Sequence, residues 1–165
     1  MNQQIVYPLG QVIEVKQKRV NDAEKVVKEK QLALTKEQQK LEEREAERDK
    51  VKEHKKAKLQ QLRDKLDEGT NTTEIQQMKV YLKVVDEKLI IEEKKVLDQK
   101  QQVTIAEKNL EQAKLELQRK RQEVDKLLMH KKDWEKEKRK ELEIIEAREQ
   151  DELGSIIHTT RQRNQ

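Results

Sequence analysis

The sequence predicts an all-α chain folded as a long antiparallel two-helix coiled coil, a hairpin with unequal arms. Three observations predict it. Of 165 residues, 44% are charged and 32% hydrophobic, with no Phe and one Trp, which is too little apolar bulk for a globular interior. Aliphatic residues recur every seven positions along a background of Glu, Lys, Gln and Arg, with both charge signs interleaved, as in a coiled coil and unlike a disordered acidic or basic tract. A short turn-forming segment, DEGTNTTE at 67–74, separates two such stretches.

The first arm is expected to run from about 8 to 67. Pro8 and Gly10 mark its start, because proline is tolerated in a first helical turn. A step of seven from Ile13 lands on Val20, Val27, Leu34 and Leu41, five aliphatics at one seam position. The next step falls on Arg48. Beyond it Leu59 and Leu66 are read as the seam after a phase change of four, a stutter, with Leu62 between them.

The turn is placed at 68–72. Gly69 suits the left-handed conformation that ends a helix, and Asn71 with Glu74, or Thr73 with Gln76, offers a cap for the next one. The second arm is expected over 73–158. Its seam is cleaner: Ile75, Leu82, Leu89, Val96, Val103, Leu110, Leu117 and Val124 keep a strict spacing of seven. The companion position mixes apolar, small and polar residues, among them Met78, Glu92, Ala106, Ala113 and Trp134.

In antiparallel helices of equal rise, facing residues have numbers with a constant sum. A sum of about 140 sets Leu34 against Ala106, Val27 against Ala113 and Leu62 against Met78, large residues meeting small or flexible ones. It also sets Arg48 opposite Glu92, the two breaks in the seams, which reads as a polar layer fixing register. Half of that sum locates the fold at Thr70. A parallel dimer of single long helices also satisfies the heptads; the turn and the matching breaks favour the hairpin, a monomer in isolation.

The arms, ~90 Å and ~130 Å long, cannot match. Trp134 is expected to face Val6, as a cap on the open end or as an interface anchor. From about residue 140 the second helix has no partner within the chain, yet it carries Leu142, Ile144, Ile145, Leu153, Ile156 and Ile157. Aliphatics on an unpaired helix point to a surface meant for something else.

Several functions are set aside. With no Cys there is no thiol chemistry and no cysteine metal site. No window approaches the apolar run of a membrane span and the N-terminus MNQQIVYPLGQVIEV has no leader-like pattern, so the chain is read as cytoplasmic. His54, His130 and His158 are scattered and read as solvated helix residues. Ser155 is the sole serine and the three glycines stand far apart, so neither a nucleophilic triad nor a phosphate loop can be assembled. The expectation is a non-enzyme without cofactor or metal.

The net charge of +4 is small for 38 basic and 34 acidic residues, but it is unevenly placed. Residues 117–140 hold ten basic against five acidic side chains, a collar that includes Arg119, Arg121, Lys126, Lys131 and Lys132. The bland reading is a solvated helix face with i to i+4 pairs. The functional reading is a grip on an acidic surface; without interleaved aromatics a nucleic-acid arm is disfavoured. Near the turn, Tyr81 between Lys79 and Lys83 is a modest tip feature.

The Cys-free, Lys/Glu/Gln-rich composition, the start MNQQIVYPLGQVIEVKQKRV, the turn DEGTNTTE and the longer second arm together resemble the YscO/FliJ family of type III secretion and flagellar export, and within it the chlamydial branch. The resemblance covers nearly the whole chain by architecture and texture. It implies a central stalk similar to the two-helix shaft of a rotary ATPase. Such a stalk binds the hexameric export ATPase at the end carrying both termini and contacts the export gate protein at the tip. It works at the inner membrane as a peripheral component, and some members also bind secretion chaperones. On this reading Arg119, Arg121, Lys126, Lys131, Lys132, Trp134, Leu142, Ile145 and Ile156 face the ATPase, and Lys79, Tyr81 and Lys83 face the gate. The alternatives are a generic coiled-coil spacer or tether, and an RNA-binding coiled-coil arm.

Overall fold

In the computed structural model, which describes residues 5–69 and 71–165, the chain forms two helices, α1 (Gly10–Glu68) and α2 (Thr72–Arg163). They run antiparallel. The packing divides into two units, one formed by residues 25–115 and the other by 1–24 with 116–165.

The unit of residues 25–115 contains the turn. Gly69 has φ of 73°, and its N–H is 3.3 Å from the carbonyl of Leu66, one of the two bonds of a Schellman ending. α2 then begins with Asn71 as its cap: the Asn71 side-chain oxygen accepts from the Thr73 amide at 3.1 Å, and its carbonyl accepts from Ile75 at 3.3 Å. Glu74 occupies the third helical position, where a capping box places its acid. Thr70, the expected crest, lies outside the described residues.

The seam of this unit follows the repeat. Leu34, Val103, Ala106 and Leu110 form a buried cluster, with Val27 and Leu41 packed against it. Leu34 and Ala106 are the pair expected from the constant sum. Val51, Leu62, Leu82, Val85 and Val96 are also buried. Here one expectation needs correction. The series that begins at Ile13 does not break into a stutter: its slots after Leu41 are Arg48, Lys55 and Leu62, of which the first two are half-buried and the last buried. Leu66, read as seam, is 50% exposed. Long basic side chains fill a seam slot with their stems and carry the charge outward, so the aliphatic pattern fades while the register persists.

The polar layer also differs from expectation. Arg48 and Glu92 are both half-buried, but they do not bond to each other. The Arg48 guanidinium lies 3.2 Å from Asp49 on its own helix, and Glu92 pairs with Lys95 at 3.3 Å. A bond between the arms is made two to three helical turns away, where the Gln99 amide donates to the Glu37 carbonyl at 3.0 Å and to its carboxylate at 2.5 Å. Lys55 also bonds Asp86 across the seam.

In the other unit, α1 starts at Gly10, two residues later than expected. Pro8 and Leu9 form a turn ahead of it, in which the Gly10 amide donates to the Tyr7 carbonyl at 3.2 Å and Ile13 to Leu9 at 3.1 Å. Val20, Leu117 and Val124 are buried in its seam. After the half-buried Leu142, every residue of α2 is exposed. α2 continues to Arg163, beyond the expected 158, because nothing after Gly154 breaks a helix outright: one exposed glycine costs only about 1 kcal/mol.

Candidate functional site

Two regions carry the residues singled out by the sequence. The first lies in the unit of 1–24 and 116–165, and its anchor is a residue the sequence reading missed. Tyr7 is buried, at 6% exposure, because the strap before α1 folds its ring onto α2. Its ring centroid is 5.7 Å from that of His130 and 5.5 Å from that of Trp134, the latter edge-on. Its hydroxyl bonds the His130 Nδ1. Thus His130 is not merely a solvated helix residue, and Trp134 packs on Tyr7 while Val6 is 72% exposed. A signal was available: the constant sum places Tyr7 opposite a point between His130 and Trp134, two ring side chains spaced i, i+4 on one helix face.

Beside this cluster, Ile5, Val6, Trp134, Leu142 and Ile145 line a groove of about 410 Å³, with Lys138 and Glu141 at its edge. Lys138 stands 6.0 Å from the Trp134 ring centroid and 3.0 Å from Glu141. The groove opens onto the unpaired end of α2, where Ile145 is 49% and Ile156 is 64% exposed. Trp134, Leu142 and Ile145 therefore share a surface, and Ile156 lies farther along the same helix.

The collar divides into engaged and free members. Arg119 and Lys120 share Glu116, at 3.4 and 3.6 Å, and Arg121 reaches Glu24 on α1 at 3.1 Å. Lys126 and Lys132 are exposed and Lys131 is half-buried; among the described residues none of the three has an ion-pair partner.

Lys16 donates to Glu123 at 3.0 Å. That hydrogen bond foremost holds the Glu123 carboxyl below its ordinary value, against the opposing effect of desolvation, which comes next, and with help from the charges of Lys16, Lys120 and Arg19. A carboxylate with a depressed folded-state pKa stabilises the fold above its ordinary pKa, and the contribution is lost as pH falls through the folded value. Glu123→Gln should therefore lower the melting temperature slightly near neutral pH, the pair being at the surface. The difference should narrow as pH falls below the ordinary glutamate value and vanish once Glu123 is protonated in the folded chain. Thermal melts followed by circular dichroism across a descending pH series check this.

The second region lies in the unit of 25–115, beside the turn. The Tyr81 hydroxyl is 2.7 Å from the His54 Nε2, and Lys58 Nζ stands 5.5 Å from the Tyr81 ring centroid. Tyr81 lines a cleft of about 650 Å³ together with Met78, Lys58, Lys65, Glu68 and Glu74. Lys79 and Lys83 are exposed and are not part of it. At about 100° per residue they share one flank of α2 while Tyr81 lies on the other, so the three do not converge. His54 and Lys58 are the partners that sequence reasoning did not give to Tyr81.

Among the described residues, no helix is long and apolar enough to cross a membrane. The YscO-like protein family matches residues 4–164 of the chain. A solved structure from Chlamydia trachomatis, described as that of a YscO homologue, is 48% identical; the match covers 98% of this chain and 100% of that one, with a TM-score of 0.93. A chain of the Chlamydia pneumoniae CdsV and CdsO protein complex is 55% identical, over 51% of this chain and 98% of that one, with a TM-score of 0.49. Comparison with curated proteins gives no match.

Proposed function

Because the chain belongs to the YscO-like family of type III secretion proteins, we propose that it is the central stalk of an export apparatus, a non-catalytic part that docks on the hexameric export ATPase through the unit carrying both termini. The observation that carries this reading is the juxtaposition in that unit. Lys126 and Lys132, without acidic partners among the described residues, lie on the same helix as an unpaired stretch displaying Ile145 and Ile156.

Charged rims steer and orient an encounter while apolar anchors hold it. The collar would meet an acidic rim of the ring, and the groove beside Trp134 would take an apolar side chain from it. The turn region, with Tyr81, His54 and Lys58, is the face offered to the export gate; secretion chaperones are the further class of partner. The stalk would sit in the cytoplasm, held at the inner membrane by these contacts alone.

The test is charge reversal of Arg119, Lys126 and Lys132 to glutamate, read as ring binding and stimulation of ATP hydrolysis at low salt. Each residue is exposed, so the fold should persist by circular dichroism. Binding is expected to weaken by roughly one to two orders of magnitude. Unchanged binding and stimulation would remove the collar from the interface and favour a plain spacer.

A further inference from the structure

The leucines of α1 nearest the turn form a second stripe that the present packing leaves idle. Leu59, Leu62 and Leu66 are spaced by three and four, the step of a coiled-coil seam. Of these only Leu62 is buried; Leu59 is half-buried and Leu66 is 50% exposed. The slots around Leu62 are filled by Lys55, Lys58 and Lys65, which the sum of about 140 sets against Val85, Leu82 and Ile75.

Raising the sum to about 144 slides one helix along the other by four residues, ~6 Å. It sets Leu59 against Val85, Leu62 against Leu82 and Leu66 against Met78, so lysine-bearing layers give way to aliphatic ones. Farther along the arm it sets Leu41 against Val103 and Lys52 against Glu92. A slide of three the other way, to a sum of about 137, has no such complementarity, because it opposes Glu45 to Glu92 and Lys52 to Val85.

The turn is equipped for both sums. A change of four moves the fold by two residues. At present Gly69 takes the left-handed position, with φ of 73°, and Asn71 caps α2. Two residues on from each stand Asn71, which after glycine suits the left-handed position best, and Thr73, which with Gln76 has the spacing of a capping box.

From these two observations we infer that the hairpin has two registers. The arms of the 25–115 unit interconvert between the present register and one displaced by four residues, with α1 turning about its own axis by about 50°, half the angle between successive residues. Each register holds what the other lacks. The present one buries Val51 and makes the Gln99–Glu37 and Lys55–Asp86 bonds; the displaced one exchanges these for leucine layers and a Lys52–Glu92 pair. The consequence falls on the turn region. Tyr81 now has His54 at 2.7 Å from its hydroxyl and Lys58 at 5.5 Å from its ring centroid, and a slide of ~6 Å carries both away and rebuilds the cleft they line. A pull on one helix relative to the other is thereby converted into a change of surface at the turn. This inference does not rest on the stalk reading, and its test needs no partner.

The chain has no cysteine, so introduced pairs report the register directly. R48C/E92C bridges a layer of the present register and K52C/E92C a layer of the displaced one, and neither pair replaces an aliphatic seam residue. The full chain is incubated in a glutathione redox buffer and sampled on non-reducing gels. The first pair should close fast. The second should also close within the monomer, but about 10- to 1000-fold more slowly, as when a state populated at about 0.1–10% does the reacting. Gly69→Ala strains the present turn and favours a helix running through it, so it should speed closure of the second pair roughly tenfold or more. Leu66→Lys changes a side chain that is half exposed now and in the seam after the slide; it should slow that closure severalfold while leaving the melting temperature of the parent nearly unchanged. A second pair that never closes within the monomer would overturn the proposal. So would closure at a rate indifferent to both substitutions, which is what simple fraying of the arms gives.

Discussion

Leu34→Asp is expected to abolish the cooperative fold of the 25–115 unit. Leu34 is 7% exposed at the centre of the cluster with Val103, Ala106 and Leu110. Removing it forfeits about 2 kcal/mol of apolar burial. Placing a carboxylate among those aliphatic side chains costs several kcal/mol more, because desolvation opposes the charged form and no compensating hydrogen bond is at hand. Together these match the entire stability of an ordinary domain, about 5–15 kcal/mol. A two-helix structure with so narrow a core has little to spare. Leu34→Ala, which only opens a cavity, should cost about 2–4 kcal/mol and leave a folded protein with a lower melting temperature. Far-ultraviolet circular dichroism with thermal melting separates the two; an aspartate variant that melts within a few degrees of the parent would mean that this cluster does not hold the arms together.

The same cluster shows why the fold was legible. The aliphatic column of α2 from Ile75 to Val124 is buried or half-buried at every step, and a strict spacing of seven has few physical explanations besides a seam. Pairings read from the constant sum recur in the observed contacts: Lys16 and Glu123 sum to 139, and Lys55 and Asp86 to 141. What failed was any inference that treated seam positions as necessarily aliphatic. In α1 the column of Lys16, Ala23, Lys30, Glu37, Arg44, Val51 and Lys58 is half-buried or buried at every step but the exposed Arg44, though most of it is charged. Lys16 and Glu37 make bonds across to α2, and Lys58 lies over the Tyr81 ring. Because these side chains bury methylene stems and expose their heads, a hydrophobic count overlooks them and suggests a stutter where Arg48 and Lys55 merely replace leucine. The direction in which a charged head turns is likewise settled by local competition. Arg48 has Asp49 next to it and Glu92 has Lys95 one turn on, so the expected cross-seam pair gives way to neighbours.

The candidate docking surface was legible in outline and not in detail. That the end of α2 would stand unpaired followed from arm lengths alone; that Tyr7 would close the open end did not, because residues 5–7 are not helical and the equal-rise rule no longer governs them. The strap makes its own contacts, and a periodicity argument has nothing to say about a segment without a period.

Replacing Leu142, Ile145 and Ile156 together by serine is expected to produce the opposite result to Leu34→Asp: a protein that folds normally and fails to dock. Ile145 and Ile156 are 49% and 64% exposed and Leu142 is half-buried, so little burial is lost within the chain, and the change in melting temperature should be a few degrees at most. The loss in helix propensity is a few tenths of a kcal/mol per residue, spread over fifteen residues of an already unpaired helix. In a complex, each aliphatic buried against a partner contributes about 1–2 kcal/mol. Losing three would remove roughly 3–6 kcal/mol, or two to four orders of magnitude in affinity. Calorimetric titration against the assembled export ATPase, with helicity monitored in parallel, measures both quantities on one sample. Serine lacks the charge of the collar reversal, so the two variants read different physics. If the collar sets the encounter, its reversal should slow association and flatten or invert the salt dependence, whereas the serine variant should associate at a near-normal rate and dissociate fast. Ring binding that survives the serine variant intact would mean that the exposed aliphatics of α2 are not what holds the stalk.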